Sequence, residues 1–165
     1  MRGIENQWTL GAKMARRDFL KFAAVTPLLA GLSTVADAQE RKASKPLNIM
    51  MKSAWGSDDP TKAAFPFLHG HALMSAGHNV QIFLLGEAVG LMRLSEAQAV
   101  VPVGWPPLIS TMQELTKSKV QIYACGACSR ARNVTESDLA NWGAKFGSPP
   151  IFVSLVEWAD RVITE

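Results

Sequence analysis

Cys125 and Cys128 are the residues of this 165-residue chain best suited to chemistry. They lie in Tyr123-Ala124-Cys125-Gly126-Ala127-Cys128-Ser129-Arg130-Ala131-Arg132-Asn133-Val134, directly after the apolar run Val120 to Ala124. Gly126 and Ala127 let the backbone turn tightly, and a helix beginning there aims unpaired N–H groups at a sulfur anion. Arg130 and Arg132 add positive charge to stabilise the same anion. The effect is large: a thiol with pKa near about 8.5 is about 3% thiolate at pH 7, whereas one lowered to about 6.5 is roughly three-quarters ionised. Two sulfurs separated by two residues can also close a small disulfide, as in C-x-x-C redox motifs.

Other chemistry-bearing residues fit less well. Zinc normally takes four ligands and the chain offers one C-x-x-C, so no metal and no cofactor is expected. His69 and His71 stand two apart, which on a helix points them to different faces, one buried and one exposed. His78, beside Gly77, is expected to cap a helix end, and Asp58 and Asp59 read as helix caps before catalytic carboxylates. Trp55 and Trp105 fall in loops at the strand tops, where they can shield a sulfur site. The loops carrying Trp55, Ser57, Asp58 and Glu87 are the further candidates for that site.

These groups need a scaffold, and the sequence reads as α/β. Leu47 to Met51 and Val80 to Leu85 are short apolar runs bounded by turn residues, as buried strands are. Between them Ala64, Phe67, Leu68, His71 and Ala72 recur at helical spacing up to Gly77, with Pro66 expected to kink or delay the helix. A strand, helix, strand order implies parallel pairing and helices on both faces of the sheet. A further helix over Pro106 to Lys117 leads into the strand Val120 to Ala124. Helices are predicted over Glu136 to Phe146 and Ser154 to Trp158, and an edge strand over Arg161 to Thr164. Ile151 to Val153 fits a strand or a helix start. Residues 86–105 read as an irregular, Gly- and Pro-punctuated connection, long enough to include a lid or an assembly surface.

The first 38 residues read as an address. Arg16-Arg17-Asp18-Phe19-Leu20-Lys21 precedes the apolar stretch Phe22 to Leu32 and a small-residue site ending Ala36-Asp37-Ala38. A basic segment, a short apolar core and A-x-A form a secretory signal removed after Ala38, too short for a stable membrane span. The paired arginines resemble a twin-arginine (Tat) signal, which implies passage through the Tat translocase to the periplasm. Translation can start at Met1 or Met14. In an oxidising compartment the cysteine pair is expected to close at rest. Residues 39–46 form a polar tether, and residues 47–165 a single domain. Most of the net charge of +3 belongs to the leader, because from Gln39 onward 12 Lys and Arg face 11 Asp and Glu, a net of +1. That balance excludes a nucleic-acid surface, and 48% apolar residues exclude a disordered polymer.

With these elements in place, the chain resembles the DsrE/DsrF-like (DsrE/TusD/YchN-type) sulfur-relay family over roughly Leu47 to Thr164. The resemblance rests on the strand entering Gly56-Ser57-Asp58-Asp59-Pro60, on Ala76-Gly77-His78-Asn79-Val80, on Phe83-Leu84-Leu85-Gly86-Glu87-Ala88-Val89, on Cys125 to Val134, and on Glu157-Trp158-Ala159-Asp160-Arg161-Val162. YchN-type members carry a similar Cys-x-x-Cys followed by a basic residue. In TusD-like members a single cysteine lies seven residues before an Arg-Gly pair, and Cys125 lies seven before Arg132. Asn133 stands where many relatives have Gly, a mild change because Asn tolerates left-handed backbone. The resemblance implies a three-layer domain with a mostly parallel five-stranded sheet, assembly into homo- or hetero-oligomeric trimers or hexamers, and a persulfide on Cys125. It also implies sulfur donor and acceptor proteins, or polysulfide, as partners. A sulfurtransferase-type carrier is thus one reading of the pair. A periplasmic dithiol/disulfide oxidoreductase and a non-catalytic assembly module with a structural disulfide are the others.

Overall fold

The computed structural model describes residues 45–165, so the leader and nearly all of the tether lie outside the described residues. Five strands form one parallel sheet: β1 (Asn48–Ser53), β2 (Asn79–Leu84), β3 (Gln121–Cys125), β4 (Lys145–Gly147) and β5 (Arg161–Thr164), in the order β4-β3-β2-β1-β5. The predicted α/β class, with a five-stranded parallel sheet and helices on both faces, is the one observed.

Alternation along the strands builds two unequal cores. Ile49, Met51, Val80, Ile82, Leu84, Ile122 and Ala124 face a large core filled from α1 (Pro60–Ser75) by Ala63, Ala64 and Phe67, and from α3 (Leu108–Lys117) by Leu108, Met112 and Leu115. Met50 and Phe83 face the other way, where Leu155 of α6 (Pro149–Trp158) completes a small cluster. In parallel pairing, register partners share a face, so Lys52, Phe83 and Tyr123 form a row on the α6 side. Cys125 lies two residues beyond Tyr123, on that same side.

Several local expectations are corrected. Pro66 neither delays nor ends α1, which runs unbroken from Pro60 to Ser75 with Pro66 buried inside it. Asp59 caps that helix, its carboxylate accepting from the Lys62 N–H at 3.1 Å, while Asp58 is exposed. The expected helix to Phe146 stops as α5 (Glu136–Ala140); Gly143 then turns at φ +61° and Lys145–Gly147 becomes β4. Residues 86–99 are not irregular connection but ordered structure packed into the core, whereas Val101, Val103 and Trp105 are exposed. A 3-10 segment over Gly86–Met92 and α2 (Leu94–Ala99) bury Ala88, Val89, Leu91, Met92 and Ala97 in the main core. The Trp142 indole N–H donates to the Met92 carbonyl at 2.8 Å, tying that segment to the turn before β4. Ile151 to Val153 belong to α6, which begins at Pro149. His78 caps the end of α1 as expected, but through its backbone N–H, which donates to the Leu73 carbonyl at 3.1 Å, while its Nδ1 accepts from the Leu47 N–H at 3.2 Å. His69 is exposed and pairs with Glu165, and His71 is half-buried where full burial of one histidine is expected.

Candidate functional site

β3 delivers Cys125 to the carboxyl edge of the sheet, where it becomes the N-cap of α4 (Gly126–Ala131). As N-cap it lies beside the free N–H groups of the first helical turn. Burial pushes its thiol up, but the Cys128 N–H, the Cys128 thiol, the Ala127 N–H and the Arg130 charge together outweigh it, and its pKa falls below the ordinary thiol value. Cys128 moves the other way. Burial raises it first, and donating its thiol hydrogen to Cys125 while facing that negative sulfur raises it further, against the Gly86 N–H and Arg132. One sulfur is therefore set up as the anion and the other as its proton-bearing neighbour.

The loop after β2 supports this division. Gly86 adopts φ +53°, a left-handed backbone that suits glycine, and its N–H donates to Cys128 Sγ at 3.3 Å. Asn133, at φ +54°, ends the segment after α4 in the left-handed turn that its side chain tolerates. Both sulfurs are free thiols, so the structure describes the reduced form of the pair.

Cys125 and Cys128 open onto a cleft of about 680 Å³ between the sheet and α6, lined also by Lys52, Phe83, Leu85, Gly126, Arg130, Ser148, Pro149, Phe152 and Val153. The Phe83 and Phe152 rings meet edge to face at 5.2 Å. Gly147 makes room for that wall, because a Cβ there would lie 2.6 Å from the Phe83 ring. Gly147→Ala is expected to lower stability by about 1–3 kcal/mol, since the buried ring must leave its rotamer or move α6. Urea unfolding of variant and parent checks this; an unchanged midpoint contradicts the tight approach.

The structure separates candidates that the sequence places together. Gly126 and Arg130 line the cleft with the cysteines. Arg132 instead faces a separate polar hollow with Ser57, Asp58 and Glu87. Its guanidinium forms a two-point pair with Glu87, with Nε to Oε2 at 2.8 Å, and Nη1 donates to the Cys128 carbonyl at 3.3 Å. That pairing holds the Glu87 carboxyl below its usual range. Arg132 thus lies outside the cleft, paired with Glu87, while its charge acts on both Cys128 and Cys125. Trp55 lines neither depression: Lys62 Nζ sits 3.8 Å over its ring. Trp105 is exposed. Sequence reading misses Lys52, Phe83, Leu85 and the start of α6. The signal for the last is Ser148 followed by Pro149-Pro150, an N-cap residue ahead of prolines suited to a first helical turn. Among the described residues, no group of three or more His, Cys, Asp or Glu side chains is placed to hold a metal ion, and no helix is long and apolar enough to cross a membrane.

Comparison with known proteins bears on this arrangement. Residues 49–164 match the model of the DsrE/DsrF-like family. The fold is similar to the crystal structure of the YchN protein from E. coli, with a TM-score of 0.59 and 16% identity over 73% of this chain and 100% of that one. It is also similar to a protein of unknown function, MTH1491, from Methanobacterium thermoautotrophicum, with a TM-score of 0.52 and 18% identity over 72% and 99% of the two chains. No curated protein matches the sequence.

Proposed function

The chain belongs to the DsrE/DsrF-like family, and from that premise we propose that it is an exported sulfur carrier holding sulfane sulfur as a persulfide on Cys125. The observation that carries this reading is the opposite tuning of the two thiols, with Cys125 favoured as thiolate at the mouth of a cleft. The Cys125 thiolate attacks the outer sulfur of a persulfide or polysulfide. A new bond to Sγ forms, the donor's S–S bond breaks, and the rest of the donor leaves as a thiolate or, from a polysulfide, as the shortened sulfide anion. For release, Cys128 loses its proton and attacks Cys125 Sγ; hydrosulfide departs and a Cys125–Cys128 disulfide remains. An external dithiol must then reduce that bridge before the next turnover. Direct transfer of the outer sulfur to an acceptor thiolate avoids the bridge and leaves Cys128 as the proton donor that tunes Cys125.

The twin-arginine leader supports a periplasmic location for this chemistry, and the family resemblance supports work within a trimer or hexamer. Protein recovered from the periplasmic fraction and weighed intact tests export and sulfur loading together. The expected mass begins at Gln39 and includes sulfur that a mild reductant removes. Recovery only in the cytoplasm with the leader attached contradicts export. A periplasmic protein carrying a Cys125–Cys128 disulfide and no extra sulfur contradicts the carrier reading and favours dithiol/disulfide exchange.

A further inference from the structure

The cleft beside Cys125 is far larger than a transferred sulfur atom requires, and its chemistry is one-sided. Phe83, Leu85, Pro149, Phe152 and Val153 supply apolar wall, and the charged residues lining it, Lys52 and Arg130, are both cationic. Neither is paired with a carboxylate among the described residues. Lys52 and Cys125 share a sheet face but belong to β1 and β3, with β2 between them. Two strand spacings and the two-residue rise from Tyr123, the register partner of Lys52, put their backbones roughly 12 Å apart. Phe83 and Leu85 occupy the intervening β2 side of the cleft.

A hydrosulfide or short inorganic polysulfide leaves most of that apolar wall against water. A molecule with a hydrocarbon body covers it, and an acidic group on that body answers cations that no carboxylate of the described residues meets. Resting on the carrier reading above, we propose that the sulfur donor is a small organic persulfide, R–S–SH, whose R group is an apolar chain or ring of several carbons bearing a carboxylate. R lies against Phe83 and Phe152, and its carboxylate is drawn to the cationic side chains. Cys125 thiolate attacks the outer sulfur; the bond from Sγ to that sulfur forms as the R–S–S bond breaks. R–S⁻ leaves with the electron pair, and the proton stays on the transferred sulfur. Atoms and charge balance with no further oxidant or reductant.

The experiment compares mercaptohexanoate persulfide, glutathione persulfide and inorganic polysulfide on reduced protein lacking the leader, following by mass the rate at which Cys125 gains one sulfur. The mercaptohexanoate donor is expected to react roughly 10-fold faster than glutathione persulfide, the scale set by burying a few methylenes. Val153→Asp, at a position 53% exposed where folding is not at risk, and Phe152→Ala are each expected to bring that ratio near one. Equal rates in the parent protein overturn the proposal while leaving the carrier reading intact; no loading from any donor overturns the carrier reading itself. A parent-like ratio in Val153→Asp also overturns the proposal. If that variant additionally breaks an oligomer apart, the cleft belongs to a second copy of the chain.

Discussion

Cys125→Ser protein is expected to take up no sulfur from polysulfide under conditions in which the parent gains one atom per chain. A hydroxyl cannot form a persulfide, and its oxygen stays protonated at any pH where the fold survives. The half-buried position accepts the nearly isosteric Ser, and the variant should unfold close to the parent's denaturant midpoint. Intact mass before and after incubation, with fragmentation to locate the added atom, gives the answer. A variant that still loads to parental stoichiometry places the carrier sulfur on Cys128 and contradicts the assignment.

Cys128 should separate into two roles when replaced in two ways. The Cys128 side chain hydrogen-bonds to Cys125 and helps lower its pKa. Serine keeps a hydroxyl donor at that position, so Cys128→Ser should load at close to the parental rate while losing the attack that releases sulfur. Alanine removes the donor, the Cys125 pKa rises, and loading near pH 6 should fall by several-fold, because well below its pKa a thiol's ionised fraction drops in proportion to its acidity constant. The sign fixes the pH dependence: raising a thiol's pKa costs thiolate only below the new value, so the Ala and Ser variants should converge in alkaline buffer. Stopped-flow loading rates across pH check this. Equal rates for the two variants at low pH contradict a donor role for Cys128.

The sequence discloses the position of the cysteines better than it discloses their surroundings. Val120 to Ala124 is a strand-like run, broken only by Gln121, that leads into Cys125, and strand followed by tight turn is a local pattern that the structure reproduces as β3 and α4. The α6 side of the sheet is set by non-local facts. Phe83 meets Phe152 across a long stretch of chain, and Gly147 matters because a ring from β2 lies against it. Lys145–Gly147 is too short for strand periodicity to register, and the acidic cap Thr135 with Asp138 makes the following residues look like a longer helix. The run from Gly86 to Met92 hides its order in another way, since 3-10 geometry follows neither the helical nor the strand period. Sequence spacing alone groups Arg132 with Arg130. Only the loop after β2, which brings Glu87 to Arg132, shows that the two arginines line different depressions.

The opposite tuning of the two thiols is open to direct titration. Reduced protein is pulsed with iodoacetamide at a series of pH values, and fragmentation of the peptide containing both residues reports each sulfur separately. The predicted outcome is that Cys125 is labelled first, with a midpoint below that of an ordinary thiol, and Cys128 only at higher pH. A shared midpoint, or Cys128 reacting first, contradicts the account.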